Sequence, residues 1–465
     1  MYRCAFFIFL LTGAKWATAS QGPPIPADEA IRQMLSTRVD LQKQATGIVV
    51  GIIDAKGSRV ISYGTMGLAD KRPVNGDTVF DIGSITKVFT ALLLAEMAQR
   101  GEVKIDDPAA KYLDEKKVKL TERGGKQITL VDLATHTSGL PLRPTNLVSK
   151  DPNDKYRGYT VDLMYECLSS FTLPRDIGTK YEYSNLGYGL LGHVLEKRLG
   201  RAYADLVESR ITHPLGMKDT RIDLTPAMKS RMAAGYNNEL MPIATEWHFG
   251  ALQSAGAFSS TANDLLKFLA VVLGYKQSPL LPAMKSMLDI RRPGGMQPST
   301  EIALAWNVYV DGEQKVVWKN GSVGGYRSFI GFDPKARVGV VALTNAQTAV
   351  GTDDIGLHLL DERIHVDLHI PKPHKEILLR PEILDRYTGR YQFSPTDIMT
   401  VTREGNHLVG QLLDGQRFEM FAESEHDFFM KIADAQVTFE SSDQGPAKVA
   451  VWHQGGQDQR GERIE

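Results

Sequence analysis

A serine and a lysine three residues apart open the reading, in Asp81-Ile82-Gly83-Ser84-Ile85-Thr86-Lys87. The apolar run that follows, Val88 to Met97, predicts a helix buried on most sides, with Gly83 and Ser84 at its start. Residues i and i+3 share a helix face, so Lys87 faces Ser84. Desolvation there lowers the ammonium pKa and makes the amine a proton acceptor. The helix N-terminus adds backbone N–H groups, so a nucleophile, a base and part of an oxyanion hole fall within one turn. The same residues also describe a serine capping a core helix with a lysine reaching out to solvent.

Two later turns contain what such a serine lacks. Tyr181-Glu182-Tyr183-Ser184-Asn185-Leu186-Gly187-Tyr188 is a polar cluster at a helix entry. If two lysines lower its pKa, the Tyr183 phenol can accept the serine proton and return it to a leaving nitrogen. Asn185 can both donate to and accept from a substrate amide. Trp318-Lys319-Asn320-Gly321-Ser322-Val323-Gly324-Gly325-Tyr326 reads as an edge strand passing the serine. Lys319 supplies charge to a substrate carboxylate and to Tyr183, Gly321 allows close backbone approach, and strand N–H groups complete the oxyanion hole. Taken singly, Tyr183 also reads as a packing residue and the Lys319 segment as an ordinary strand and turn.

These residues have to be positioned by the elements around them. Residues 27–44 predict an amphipathic helix, and 46–64 a β-hairpin turning at Ala55-Lys56-Gly57. From about Thr160 to Val272 the pattern is mostly helical. Strand signals return at 301–310, 314–318, 326–332 and 338–344, and a helix follows near 353–363. Strands at both ends of a helical middle predict an α/β (α+β) fold. One antiparallel sheet is built from both chain ends and flanked by helices, with an all-helical insertion beside it. The site then lies between the halves.

Pro371, Pro373 and Pro381 mark a linker over 371–381. Short strands from Tyr387 to Trp452 then predict a small all-β barrel or sandwich over 382–465. At the other end, Arg3, the apolar stretch to Leu11 and Ala17-Thr18-Ala19 predict a signal peptide over 1–19, leaving a large main domain at 20–370. The protein is accordingly expected to be exported, periplasmic or secreted, with no membrane-spanning segment once the signal is removed.

Bulk composition narrows the function classes. The formal net charge of -1 gives no reason to expect a nucleic-acid partner. Of the two cysteines, Cys4 lies in the leader, so Cys167 is left alone and reads as a small core residue. His365, His369 and His374 have metal-ligand spacing, but 364–370 alternates apolar and polar like a solvated strand face. No glycine-rich phosphate loop is present. Neither a metal nor a cofactor is expected.

Ser84-Ile85-Thr86-Lys87, Tyr183-Ser184-Asn185 and Lys319-Asn320-Gly321, in this order, resemble the motifs of the class C β-lactamase and penicillin-recognising serine peptidase family. His136-Thr137-Ser138-Gly139-Leu140-Pro141, His213-Pro214-Leu215-Gly216-Met217 and the segment Ala255 to Leu265 look like further landmarks, and the resemblance covers about residues 28–365. It implies a Ser84 acyl-enzyme, with Lys87 and Tyr183 sharing the proton traffic and Ser84 and Ser322 backbone N–H groups holding the oxyanion. It also implies that Asn185 binds the substrate amide, while Lys319 and Asn320 anchor its carboxylate. The expected substrate is a small molecule or peptide, a β-lactam or a D-alanyl peptide. DD-carboxypeptidase, D-aminopeptidase and esterase activities are alternatives on the same scaffold, and a non-turnover penicillin-binding sensor is the alternative of another class. Asn320 stands where these lactamases carry threonine, Arg143 where they carry glutamine, and Ile177-Gly178 where Pro-Gly is common. The C-terminal β region resembles the lipocalin-like appendage of relatives acting on D-amino-acid peptides. Oligomeric state is not legible.

Overall fold

The computed structural model describes residues 25–464 apart from 150–153, 244–246, 295–299, 313, 349–350, 369–373, 395–396, 413–416, 432–434, 441–444 and 455–456. The expected signal peptide therefore lies outside the described residues.

The chain enters through α1 (Asp28–Ser36), which buries Ile31 and Leu35, four apart on one face. A hairpin of β1 (Gly47–Asp54) and β2 (Gly57–Gly64) follows. β1 is buried from Gly47 to Ile53, as a continuous apolar strand in the middle of a covered sheet must be. The helical region contains α2 (Thr86–Gln99), α3 (Asn185–Leu199) and α4 (Ala262–Val272). The chain then returns to the sheet through β3 (Arg292–Pro293), β4 (Thr300–Ile302), β5 (Asn307–Asp311), β6 (Gln314–Val323), β7 (Tyr326–Asp333) and β8 (Val338–Thr344), ending in α5 (Asp353–His358).

The eight strands order as β2-β1-β8-β7-β6-β5-β4-β3, and every pairing is antiparallel. The decisive join is β1 to β8, where Ile48 faces Thr344 and Ile53 faces Gly339. The sheet is thus closed by the two ends of the domain, as the sequence pattern implies. A large core of α2, α3 and α4 side chains covers one face. A second core, including Ile31, Leu35, Trp318, Phe329 and Ile355, covers the other.

Residues 389–463 form a closed antiparallel barrel of eight strands. Its first strand, Gly389–Ser394, meets its last, Gln457–Arg463, with Tyr391 opposite Arg463. Tyr391, Met399, Leu408, Met420, Phe428, Val437 and Phe439 fill the interior, and Tyr387 stacks on Phe439 at 4.8 Å between ring centres. This settles the choice between barrel and sandwich.

Some local expectations fail. Residues 364–368 are irregular chain rather than a strand: Val366 packs into the second core and His365 is exposed. His369 lies outside the described residues. His374 pairs with Glu423 at 2.7 Å and stacks on Phe429, and no metal-ligating cluster occurs among the described residues. Ile377 and Leu379, inside the expected linker, pack on the barrel core. Also among the described residues, no helix is long and apolar enough to cross a membrane.

Candidate active site

The serine sits on a tight turn that two other segments hold in place. Residues Gly83–Ile85 form a 3-10 turn leading into α2, whose residues Thr86 to Met97 are all buried. Gly83 takes φ +49°, and a Cβ there would lie 3.0 Å from the Ser322 backbone nitrogen. Glycine is needed for both the left-handed conformation and the contact. The Ile82 N–H donates to the Phe258 carbonyl at 3.0 Å, and the Phe258 N–H donates to Thr86 Oγ1 at 3.0 Å. On the strand side, Ser328 Oγ donates to the Ile82 carbonyl at 2.8 Å. Gly321 leaves the room for this, since a Cβ there would lie 2.1 Å from the same carbonyl oxygen.

Lys87 is fully buried. Its Nζ lies 3.1 Å from Ser84 Oγ, 2.8 Å from Asn185 Oδ1 and 2.6 Å from the Ala255 carbonyl. Burial, reinforced by the neighbouring Lys319 charge, holds the amine well below the ordinary lysine range. A neutral amine fits these partners. Two N–H groups donate to the Asn185 and Ala255 oxygens, and the Ser84 Oγ contact is the one at which a deprotonated amine would become the acceptor.

The Tyr183 hydroxyl donates to Ser84 Oγ at 2.6 Å. Lys87 Nζ lies 4.7 Å and Lys319 Nζ 4.9 Å from the Tyr183 ring centre. The expectation that these lysines lower the phenol's pKa is not met, because burial pushes it well up instead. The same dry surroundings hold Lys87 well below its ordinary range and lower Lys319 to about 8, and the phenol's own desolvation outweighs the positive charge that remains beside it.

His136 holds the Tyr183 loop in place. It is buried at φ +58°, its Nδ1 accepts the Ser184 N–H at 3.1 Å, and its carbonyl accepts the Glu182 N–H at 2.7 Å. Its ring lies against Tyr183 and Tyr188. Burial and the two lysines depress its pKa, so it is a neutral acceptor. Ser184 caps α3 by accepting from the Gly187 N–H at 2.8 Å and donates to the Pro141 carbonyl at 2.7 Å. The Asn185 N–H donates to the Leu142 carbonyl at 3.0 Å. The 136–142 segment is thus the clamp for the helix entry.

Lys319 comes from β6. This strand is interior in the sheet order, but β5 pairs with it only as far as Trp318, opposite Asn307. Among the described residues, Lys319 to Val323 pair with β7 alone, leaving a local free edge beside Ser84. Lys319 is buried, and desolvation lowers its pKa to about 8. Strand alternation puts Lys319 and Gly321 on the Ser84 face, and Asn320 on the α5 face. There Asn320 donates from Nδ2 to Asp353. Asn320 is therefore not gathered with Ser84, Lys87, Tyr183, Asn185 and Lys319. Ser322 likewise turns its hydroxyl away, accepting from Gln347 Nε2 at 3.0 Å, and only its backbone meets the serine turn.

Residues 27–362 match the β-lactamase family, and 373–463 match a domain of unknown function, DUF3471. The chain belongs to the β-lactamase family. It is a serine hydrolase of the β-lactamase and DD-peptidase type. It is 28% identical over 366 residues to the D-alanyl-D-alanine-carboxypeptidase/endopeptidase AmpH of Escherichia coli K12, covering 73% of this chain and 90% of that protein. A β-lactamase of Pseudomonas fluorescens is 28% identical over 356 residues, covering 68% and 93%. The class C β-lactamase structure from Rhodobacter sphaeroides aligns with TM-score 0.62 and 27% identity, over 72% of this chain and 99% of that one. The octameric penicillin-binding protein homologue of Pyrococcus abyssi shares the fold across 93% of this chain and 99% of its own, with TM-score 0.64 and 21% identity.

Against this family background, three further residues take their places. Trp318 stacks on Phe329 and Tyr326 donates to the Ala233 carbonyl, so both are packing residues rather than pocket walls. Cys167 is buried in the main core. Sequence reasoning did not single out the Ala255 carbonyl or His136 for a role, although both lie in segments recognised as landmarks. A backbone acceptor leaves no side-chain signal, and a neutral clamp reads like any core histidine.

Proposed function

We propose that the protein hydrolyses β-lactams or D-alanyl peptides through an acyl-enzyme on Ser84. The observation that carries this reading is the position of Ser84 Oγ, 3.1 Å from a buried lysine nitrogen and 2.6 Å from the Tyr183 hydroxyl. Neutral Lys87 takes the Ser84 proton as Oγ attacks the substrate carbonyl. Tyr183, kept protonated by burial, is the donor that passes a proton to the departing nitrogen and is recharged from the Lys87 ammonium. This assigns Lys87 as the base, a question the sequence leaves open. The Ser84 and Ser322 N–H groups hold the oxyanion, where each donor contributes about 3 kcal/mol of barrier lowering. Asn185 receives the substrate amide, and Lys319 faces the carboxylate. Export after cleavage of a signal over 1–19, and a division into a hydrolase domain and a barrel domain, belong to the same proposal.

Intact-mass spectrometry after benzylpenicillin is the test. A transient adduct, absent from Ser84→Ala, is expected. A lasting adduct turns the reading toward a penicillin-binding sensor. No adduct, with no penicillin consumed, overturns the β-lactam reading. Nitrocefin, a p-nitrophenyl ester and a D-Ala-D-Ala peptide compared side by side then rank the substrates.

A further inference from the structure

The side chain after the motif lysine is committed to an acid. Asn320 spends an N–H on Asp353, the first residue of α5, and Asp353 is itself buried enough for desolvation to push its pKa up to about 6. The charges around it are limited. Lys319 and Arg327 are the nearby cations, and Arg327 is tied through Nε to the Thr348 carbonyl at 3.0 Å. Asp354, the next residue, is paired with buried Arg38 at 2.6 Å. Ser322 Oγ already accepts from Gln347. The outward-facing side chains beside Lys319 are thus bound to their own protein, and one of their partners carries a negative charge at neutral pH.

The geometry points to Asp353 as a specificity-determining residue that disfavours a free carboxylate on the leaving-group side of the substrate. Preferred substrates then carry a neutral group there: an amide, an ester or a continuing peptide chain. The inference rests on Ser84 being the acylated nucleophile with Lys319 on the leaving-group side. Asp353 acts through charge and through its hold on Asn320, so it is a positioning residue. Asp353 lies within electrostatic reach of Lys319, so its negative charge offsets the positive charge that a substrate carboxylate would meet there and weakens its capture on the order of tenfold.

The test compares Ser84 acylation by benzylpenicillin with acylation by its methyl ester, each rate read by intact mass. The ratio of acid to ester rates cancels effects on the nucleophile and base that the two compounds share. Asp353→Asn at pH 7 is expected to raise this ratio about tenfold. In the unaltered protein the ratio is expected to rise between pH 7 and pH 5, as Asp353 gains a proton while Lys319 stays charged and the penicillin carboxylate stays ionised. The pH arm needs no variant, so a poorly folding Asp353→Asn leaves the inference falsifiable. Adducts on Ser84 with a ratio unmoved by pH, or by the substitution in a folded variant, overturn the role of Asp353 and leave the function reading standing. No adduct from either compound overturns both.

Discussion

Replacing Gly321 by alanine tests whether the strand and the serine turn work as one unit. The added Cβ falls 2.1 Å from the Ile82 carbonyl oxygen and 2.5 Å from Ser328 Oγ. Carbon and oxygen in weak contact sit at roughly 3.3 Å, so the two backbones must separate by about 1 Å. Rotating Ser328 away does not relieve this, because the closer clash is with backbone oxygen. The separation moves the Ser322 N–H away from Ser84 and strains the turn that sets Oγ against Lys87. A misplacement of about 1 Å costs roughly a hundredfold in rate, about 2.7 kcal/mol of barrier. Overpacking adds about 1–3 kcal/mol of destabilisation. Gly321→Ala is therefore expected to lower the Ser84 acylation rate by benzylpenicillin about a hundredfold, with a measurable drop in Tm. Acylation within threefold of the original protein, in a variant melting at the same temperature, would refute the argument.

Three further outcomes follow from the same geometry. Lys87→Met is expected to reduce acylation by about 10²–10⁴-fold while circular dichroism shows a retained fold, and an unchanged rate would transfer the base to Tyr183. Lys319 carries its charge below about pH 8, so capture of a carboxylate-bearing substrate is expected to weaken as pH rises through about 8; Lys319→Ala should abolish that limb of the kcat/KM profile. His136→Leu leaves the buried Ser184 N–H without its acceptor, a loss of about 1–3 kcal/mol measured by urea denaturation, and acylation should slow as the Tyr183 loop loosens.

Much of this was legible because it rests on periodicity and on polar residues in unusual company. The apolar run behind Ser84 has no polar face to suggest an exposed helix, and it is buried throughout. The alternating and apolar stretches at both chain ends marked the sheet that carries Lys319. Spacing could not show which neighbour wins. Asn320 reads as a substrate contact, and spacing gives no hint that its amide also donates to Asp353. The Tyr183 pKa is set by the phenol's own burial, which outweighs the lysines beside it. The last barrel strand, Gln457–Arg463, went unread because Gln-Asp-Gln-Arg-Gly-Glu-Arg has no apolar alternation. Only the need to close the barrel against the strand containing Tyr391 makes it a strand. The Ile364 to Leu368 stretch failed in the opposite sense, with strand-like alternation but no neighbouring strand to pair with among the described residues.

The join between β1 and β8 also sets an order on the molecule's birth. The Gly47 N–H finds its acceptor, Asn345 Oδ1, 298 residues later, and the Ile82 carbonyl receives Ser328 from 246 residues away. Closing such long loops is slow and comes after local helices have formed. A nascent chain that has emerged only as far as α4 holds Ser84, Lys87 and Tyr183 but no wall to aim them. Chains released before residue 344 are expected to expose the apolar face of β1 and to form no benzylpenicillin adduct. Hydrolytic competence therefore arrives late, once the returning strands have docked.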